Sequence, residues 1–434
     1  MLNRAEAPVS NPIGDIHLKS PKVLSFENGL PVYVFHSPDQ ELVRIEWIFN
    51  NVFNEDENPL LNSSLSALLK EGTKNYSSAE IADKVDFYGA FLMPEYGFDI
   101  TSLTLYTLNK HSAVLLPLIK EILTESTLPQ KELDTYLRNN KQKLQVSLQK
   151  NDYLARKAFY KHVFGTGNRY GKTPSVEEYD QITRPDLVAL YLKQFSPSNC
   201  RLIVSGNVSE ALLQELSQQF GRDWISPQTV HLSAPALTPD KGQLVYEEKA
   251  DAIQSAIRIG MPSISRNHVD YSALQFVNTL FGGFFGSRLM RNIREEKGYT
   301  YSIGSAVGTL RYAGFMTIAT EVGVEATDAT LVEIQKEMAI LRTELATEEE
   351  LNLVKNYLSG SMLGSLESIF SHADKFKNVL LSDMDLVYYD HYMKEINAMT
   401  PEKVREIALQ YLDYNQMIKI VVGKMDTAVL VSEL

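Results

Sequence analysis

Apolar positions in this chain follow two periods, one helical and one extended, and a long block of the pattern occurs twice. Leu187, Leu190 and Phe195 return at helical spacing, as do Val404, Ile407 and Leu412. In both copies a threonine precedes the run and a proline sits in the first turn, Thr183 with Pro185 and Thr400 with Pro401, a helix start signal. A short strand is expected next, Leu202-Ile203-Val204 in one copy and Ile418 to Val422 in the other, ending at Gly206 and Gly423. In each copy the threonine and the glycine are 23 positions apart, and the copies lie 217 apart. A fainter echo pairs Leu133, Tyr136, Leu144 and Leu148 with Leu351, Val354, Met362 and Leu366 at an offset of 218. Two matches at nearly the same offset, half the chain length, predict an internal duplication.

The first copy opens with SFENGLPVYVF, where Asn28-Gly29 precedes an alternating strand and predicts a hairpin. Strands are expected at Val43–Phe49 and Ile100–Tyr106, and helices around 60–71, 78–88, 111–124 and 130–150. The stretch 226–242, SPQTVHLSAPALTPDKG, is rich in Pro, Ser and Thr without a strong period, and reads as a linker. The expected fold is α+β. Two homologous domains, 1–225 and 243–434, flank the linker, each a mostly antiparallel sheet of about five or six strands with helices packed on one face.

Composition narrows the function classes. The 434 residues are 44% hydrophobic and 22% charged, as in a folded globular protein. A net charge of -12 repels phosphate backbones and anionic bilayers, which excludes nucleic acid and membrane as expected partners. The single cysteine, Cys200, rules out an intrachain disulfide and a thiolate metal cluster. The first residues lack an apolar core of signal-peptide length, and no stretch approaches the roughly 18 apolar residues of a membrane span. The expected location is cytoplasmic.

None of the eight histidines stands in an HxxEH, HxxH or HxxE arrangement, and His391 with Glu395, one helical turn apart, reads as a solvated pair. Cys200 has no partner motif and no GxSxG elbow occurs, so a self-sufficient hydrolase of another kind has no residues to name. One segment carries more: FGGFFGSRLMRNIREEKGYTYS, from Phe281 to Ser302. Its glycines lack the Lys-Ser/Thr of a phosphate loop. Ser287 is placed to cap a helix with Leu289 and Ile293 on its buried face, Gly298 to end it, and a strand to follow through Tyr299, Tyr301 and Ile303. On the residues alone, the arginines Arg288, Arg291 and Arg294 also read simply as a basic helix face balanced by Glu295 and Glu296.

This segment resembles the C-terminal-half signature of the insulinase/pitrilysin-type (M16) zinc metallopeptidases. In that family a glycine-rich loop leads to an SRLF-like helix and then to REE-x-G-x-x-Y. The duplicated halves and the NGL-x-V strand near the start agree with the resemblance, which covers essentially the whole chain. It implies that Arg294 and Tyr301 form a catalytic pair, the tyrosine holding the scissile carbonyl as charge develops and the arginine binding substrate backbone.

The first half departs from the family. Its HxxEH helix ends in an F-K-G-T-like element, found here as Lys70-Glu71-Gly72-Thr73. Counting back places Ser63 and Ala67 at the two histidines and Ser66 at the general-base glutamate. The third ligand falls near Leu144 and Gln145, and no carboxylate occurs between Asp134 and Asp152. A catalytic zinc needs three protein ligands and an open position, so no metal and no cofactor is expected in this chain. The segment corresponding to the family's peptide-pairing edge, Gly89 to Glu95, carries Pro94, which lacks an N–H; Phe91 and Met93 read equally as core residues.

The resemblance implies a pseudo-peptidase: a non-catalytic subunit acting on peptides in a heterodimer with an HxxEH-bearing homologue that holds the zinc. The alternative is a zinc-free scaffold subunit of core-protein type with no part in catalysis.

Overall fold

The computed structural model describes residues 16–53, 58–225, 230 and 232–425. The N-terminal stretch read for targeting lies outside the described residues, and so does part of the expected linker; residues 232–240 carry neither helix nor strand.

In the first half, β1 (Lys22–Ser25) and β2 (Pro31–His36) form the hairpin expected from Asn28-Gly29. Gly29 takes a left-handed φ of 83°, and the Asn28 amide donates to the carbonyls of Phe220 and Trp224 at 2.7 and 2.9 Å. β3 (Leu42–Asn50), β4 (Phe91–Tyr96), β5 (Ile100–Leu108) and β6 (Cys200–Gly206) complete a six-stranded sheet in the order β1-β2-β6-β3-β5-β4. Only the β2–β6 pair is parallel. The second half builds a five-stranded sheet from β7 (Leu244–Glu248), β8 (Gln254–Ser263), β9 (Ile303–Thr309), β10 (Gly314–Gly323) and β11 (Ile418–Gly423). Its order is β7-β11-β8-β10-β9, and again a single pair, β7–β11, is parallel.

The helices of the first half are α1 (Leu61–Leu68), α2 (Ser78–Phe87), α3 (Ser112–Glu125), α4 (Gln130–Ser147), α5 (Asn151–Phe164), α6 (Arg184–Gln194) and α7 (Glu210–Leu216). Those of the second are α8 (Tyr271–Asn278), α9 (Thr327–Thr343), α10 (Glu348–Gly364), α11 (Ile369–Leu380), α12 (Val387–Ala398) and α13 (Pro401–Tyr411). The duplicated threonines do the same work in both copies. Thr183 Oγ1 accepts from the Asp186 N–H at the start of α6, and Thr400 Oγ1 from the Lys403 N–H at the start of α13. Each such cap contributes about 1 kcal/mol.

Each sheet turns one face to its own helices. Val32, Ile45, Trp47 and Val204 pack against Leu65, Leu115 and Leu187 in one core, and Ile257, Ile259 and Val421 against Leu274, Ile334 and Ile407 in the other. The opposite faces are covered by exchange. Phe35, Ile48 and Ile203 of the first sheet pack against Ala373, Phe376 and Val379 of α11, which belongs to the second half. Ala256, Ile418, Ile420 and Val422 of the second sheet pack against Ala155, Phe159 and Val163 of α5, from the first. Helices α5 and α11 begin at Asn151 and Ile369, 218 positions apart, so the exchange is reciprocal between equivalent elements. Strands buried on both faces explain the near-continuous apolar runs of β6 and β11.

Candidate functional site

The Phe281–Ser302 segment runs from the end of α8 to the start of β9. Gly282 belongs to a buried π-helical turn, where an added Cβ would stand 2.6 Å from Ser305 Oγ and 2.9 Å from Leu289 Cδ1. The glycine is therefore demanded by close packing on β9, not by a phosphate. Arg288 then makes a fork to Glu350, Nε to Oε1 at 2.8 Å and Nη2 to Oε2 at 3.0 Å. Glu350 also closes the capping box of α10 with Thr347, so this ion pair fastens the segment to a helix terminus. Burial alone would raise the Glu350 pKa; the hydrogen bonds from Arg288 and the Thr347 N–H outweigh it and hold the carboxyl below its usual range.

Ser287 does not cap. Its hydroxyl is buried and, among the described residues, has no partner, while Met290–Glu296 coil as a wide π-type turn. Arg294 lies on that turn, half-buried, with its guanidinium 4.6 Å from the Phe285 ring centroid. Gly298 ends the turn at φ 68°, as expected. The strand begins only at Ile303, so Tyr301 is not a strand residue. Two hydroxyls make the connecting backbone turn aside: Thr300 donates to the Glu321 carbonyl at 2.7 Å and Thr320 to the Ser302 carbonyl at 2.9 Å. Tyr301 is left pointing into solvent at 90% exposure, and among the described residues its hydroxyl has no hydrogen-bond partner.

Ser63, Ser66 and Ala67 all lie on α1. Ser66 is 3% exposed, while Ser63 and Ala67 are half-buried, and the Ser63 hydroxyl donates back to the Leu60 carbonyl at 3.0 Å. What faces this helix from α4 is Tyr136, a residue the sequence had marked only for its apolar spacing. Its hydroxyl lies near those of Ser63 and Ser64, and burial raises its pKa. Ser64 Oγ itself lacks a well-formed hydrogen bond among the described residues. Of the positions expected to hold a third ligand, Leu144 is in the core and Gln145 is exposed. Among the described residues no three His, Cys, Asp or Glu side chains converge as a metal site. His391 and Glu395 line an open groove beside α12.

Beside α1 opens a cleft of about 160 Å³, lined by Asn62, Ser63, Tyr96, Phe98, Arg169 and Lys172 among others. Arg169 is held by the rings of Phe53, Tyr170 and Tyr312 at 4.9, 4.9 and 5.3 Å and by Asp99 at 3.6 Å. Asp99 also accepts from the Tyr170 hydroxyl at 2.6 Å and from the Arg311 N–H at 2.9 Å. Neither Arg169 nor Lys172 carries a sequence signal; the fold alone brings them beside α1. The nearby edge strand β4 does contain Pro94, opposite Leu103 of β5. Phe91 and Met93 are exposed on it, at 66% and 42%, and Leu92 is the core residue, which corrects the reading of Phe91 and Met93 as core. Cys200 is buried, and desolvation pushes its thiol far above the usual range, leaving it inert.

Residues 181–358 match the family described as the peptidase M16 inactive domain. An uncharacterised zinc protease YmxG of Bacillus subtilis is 25% identical over 394 residues, covering 88% of this chain and 94% of that protein. A non-peptidase homologue YmxG of Helicobacter pylori is 24% identical over 375 residues, covering 83% and 84%. The crystal structure of a peptidase M16 inactive domain from Pseudomonas fluorescens superposes with a TM-score of 0.84 at 22% identity, over 94% of this chain and 98% of that one. The periplasmic protease PqqL of Escherichia coli superposes at 0.77 with 18% identity, over 98% of this chain but 49% of its own.

Proposed function

Taking as premise that residues 181–358 belong to the peptidase M16 inactive-domain family, we propose that this chain is the non-catalytic subunit of a heteromeric M16 metallopeptidase. A partner chain bearing HxxEH holds the zinc and the general base, and this chain supplies Arg294 and Tyr301 to a peptide bound between the two. The carrying observation is Tyr301: 90% exposed and without a hydroxyl partner among the described residues, on a backbone held by the Thr300 and Thr320 hydrogen bonds. A phenol presented outward from a backbone fixed on both sides is available as a donor to an oxyanion developing on another surface. The metal-activated water that attacks the carbonyl belongs to the partner, because Ser63, Ser66 and Ala67 cannot ligate zinc.

Two comparisons support this reading. A relative carries the description of non-peptidase homologue. The chain also spans about half of PqqL, as one half of a two-part chamber would. Native mass spectrometry of the chain captured from its source cells, with metal analysis, tests the proposal. A copurifying HxxEH chain with one zinc is the expected result. A zinc-free homo-oligomer, or a complex without such a relative, overturns it and leaves the scaffold role.

A further inference from the structure

The segment 16–19 lies across the seam between the two halves. Ile16 and Leu18 pack into the apolar cluster that joins Phe35, Ile48 and Ile203 of the first sheet to Phe376 and Val379 of α11. A single hydrogen bond ties the segment to that exchanged helix: the Lys19 N–H donates to Nδ1 of His372 at 3.2 Å, across 353 positions. Among the described residues no other backbone N–H from 16 to 21 donates a hydrogen bond.

His372 is 8% exposed, and its ring lines a cavity of about 390 Å³ together with Lys19, Asp39 and Glu367. Accepting at Nδ1 fixes the neutral tautomer with its proton on Nε2. A second proton must go to Nδ1, which turns the acceptor into a donor facing the Lys19 N–H. Three features oppose it: burial, the Lys19 ammonium, and the place of His372 in the first turn of α11, at the positive end of the helix dipole. Burial first and Lys19 second hold the imidazole below its ordinary value.

The carboxylates on the surrounding elements do not offset this. Asp39 of the β2–β3 turn accepts from the Ser37 hydroxyl, and Glu367 before α11 is exposed. Asp374 pairs with Arg44 of β3, and Glu46 of β3 with Lys377. His36 of β2 accepts from the Val208 N–H, and Arg201 of β6 donates to Asn50. On α11 itself Lys375, three residues on, adds positive charge.

We propose that His372 is a pH-sensitive clasp: neutral, it holds segment 16–19 across the two halves, and protonated, it releases it. Release breaks the Lys19 hydrogen bond and uncovers Ile16 and Leu18 with the seam against α11. The folded ring titrates below its unfolded value of about 6.5, so the clasp is fully closed above that value and weakens as pH falls through the folded one. One proton changes the closing equilibrium by at most about tenfold per pH unit. The clasp needs neither a metal nor a second chain, so it stands or falls independently of the subunit role proposed above.

The test is hydrogen exchange of the full chain, read by mass spectrometry on peptides spanning 16–21. The series runs from about pH 7.5 to about pH 5.8, across the unfolded histidine value and above the isoelectric point of 5.3. After correction for intrinsic exchange, protection of this segment is about threefold lower at the acid end, while peptides from β6 keep theirs. His372→Asn, whose Oδ1 takes the place of Nδ1 without titrating, gives equal protection throughout. Lys19→Met, at an exposed position, keeps the N–H but removes the ammonium, so protection is lost from a higher pH. Constant protection in the parent, a loss shared equally by β6, the parent's pH response in a folded His372→Asn chain, or an unmoved midpoint in Lys19→Met overturns the proposal.

Discussion

Lys377 of α11 lies with its ammonium 2.7 Å from the carboxylate of Glu46 on β3. The two residues are 331 positions apart and belong to different halves, and Glu46 is only 2% exposed. Arg44, two residues earlier on the same strand, pairs with Asp374 on the same helix at 2.8 Å. The exchanged helix is thus fixed by charge as well as by Phe376 packed on Phe35 and Tyr33.

Lys377→Met leaves a buried carboxylate without its cation and destabilises the chain by about 3–5 kcal/mol in urea unfolding. The double variant Glu46→Gln/Lys377→Met recovers most of that loss, because the uncompensated charge is gone. If the single and double variants unfold at the same urea concentration, the pair does not join the halves.

Tyr301→Phe leaves the isolated chain within about 0.5 kcal/mol of the parent, since the hydroxyl has no partner among the described residues. In the heteromeric peptidase proposed above, the same change lowers turnover by about 10²–10³-fold without dissociating the complex, the scale for losing one oxyanion donor. Arg294→Ala acts in the same direction and frees the Phe285 ring. Turnover unchanged in both variants would remove the pair from the chemistry.

Placing an HxxEH motif on α1 does not by itself create a metal site. The triple variant Ser63→His/Ser66→Glu/Ala67→His supplies two ligands facing α4, where Tyr136 and Leu144 offer no third. Equilibrium dialysis is expected to show no stoichiometric zinc at micromolar concentration. Tight one-to-one binding would show that another group completes the site.

The Arg288–Glu350 fork makes part of the stability acid-sensitive. The folded carboxyl titrates below its ordinary value, so its contribution is fully present above the unfolded value of about 4.3 and is lost as pH falls through the folded one. Glu350→Gln removes that component. Its unfolding free energy therefore declines less steeply than the parent's below about pH 4.3. Parallel acid limbs for the two proteins would contradict the assignment.

Sequence periodicity was enough to locate the duplication, because caps and strand runs are local and repeat at fixed spacing. Thr183 and Thr400 cap as their context demanded, and Asn28-Gly29 makes its hairpin. The Phe281–Ser302 segment and the absence of HxxEH are likewise contiguous patterns that can be read directly from the chain. The strand start was misplaced by two or more residues, since Thr300 and Thr320 hydrogen bonds, not side-chain alternation, decide the backbone at Tyr301.

Only tertiary structure decided which helix covers which sheet. Nothing in the periodicity of α5 or α11 distinguishes a helix that returns to its own half from one that crosses to the other. The crossing is settled by burial of the second sheet faces and by the distant charges Arg44, Glu46, Asp374 and Lys377. The same holds for the cleft beside α1. Asn62, Tyr96, Arg169 and Lys172 are scattered over more than a hundred positions, and only the packing of α1 against the edge strand and the chain beyond α5 makes them neighbours.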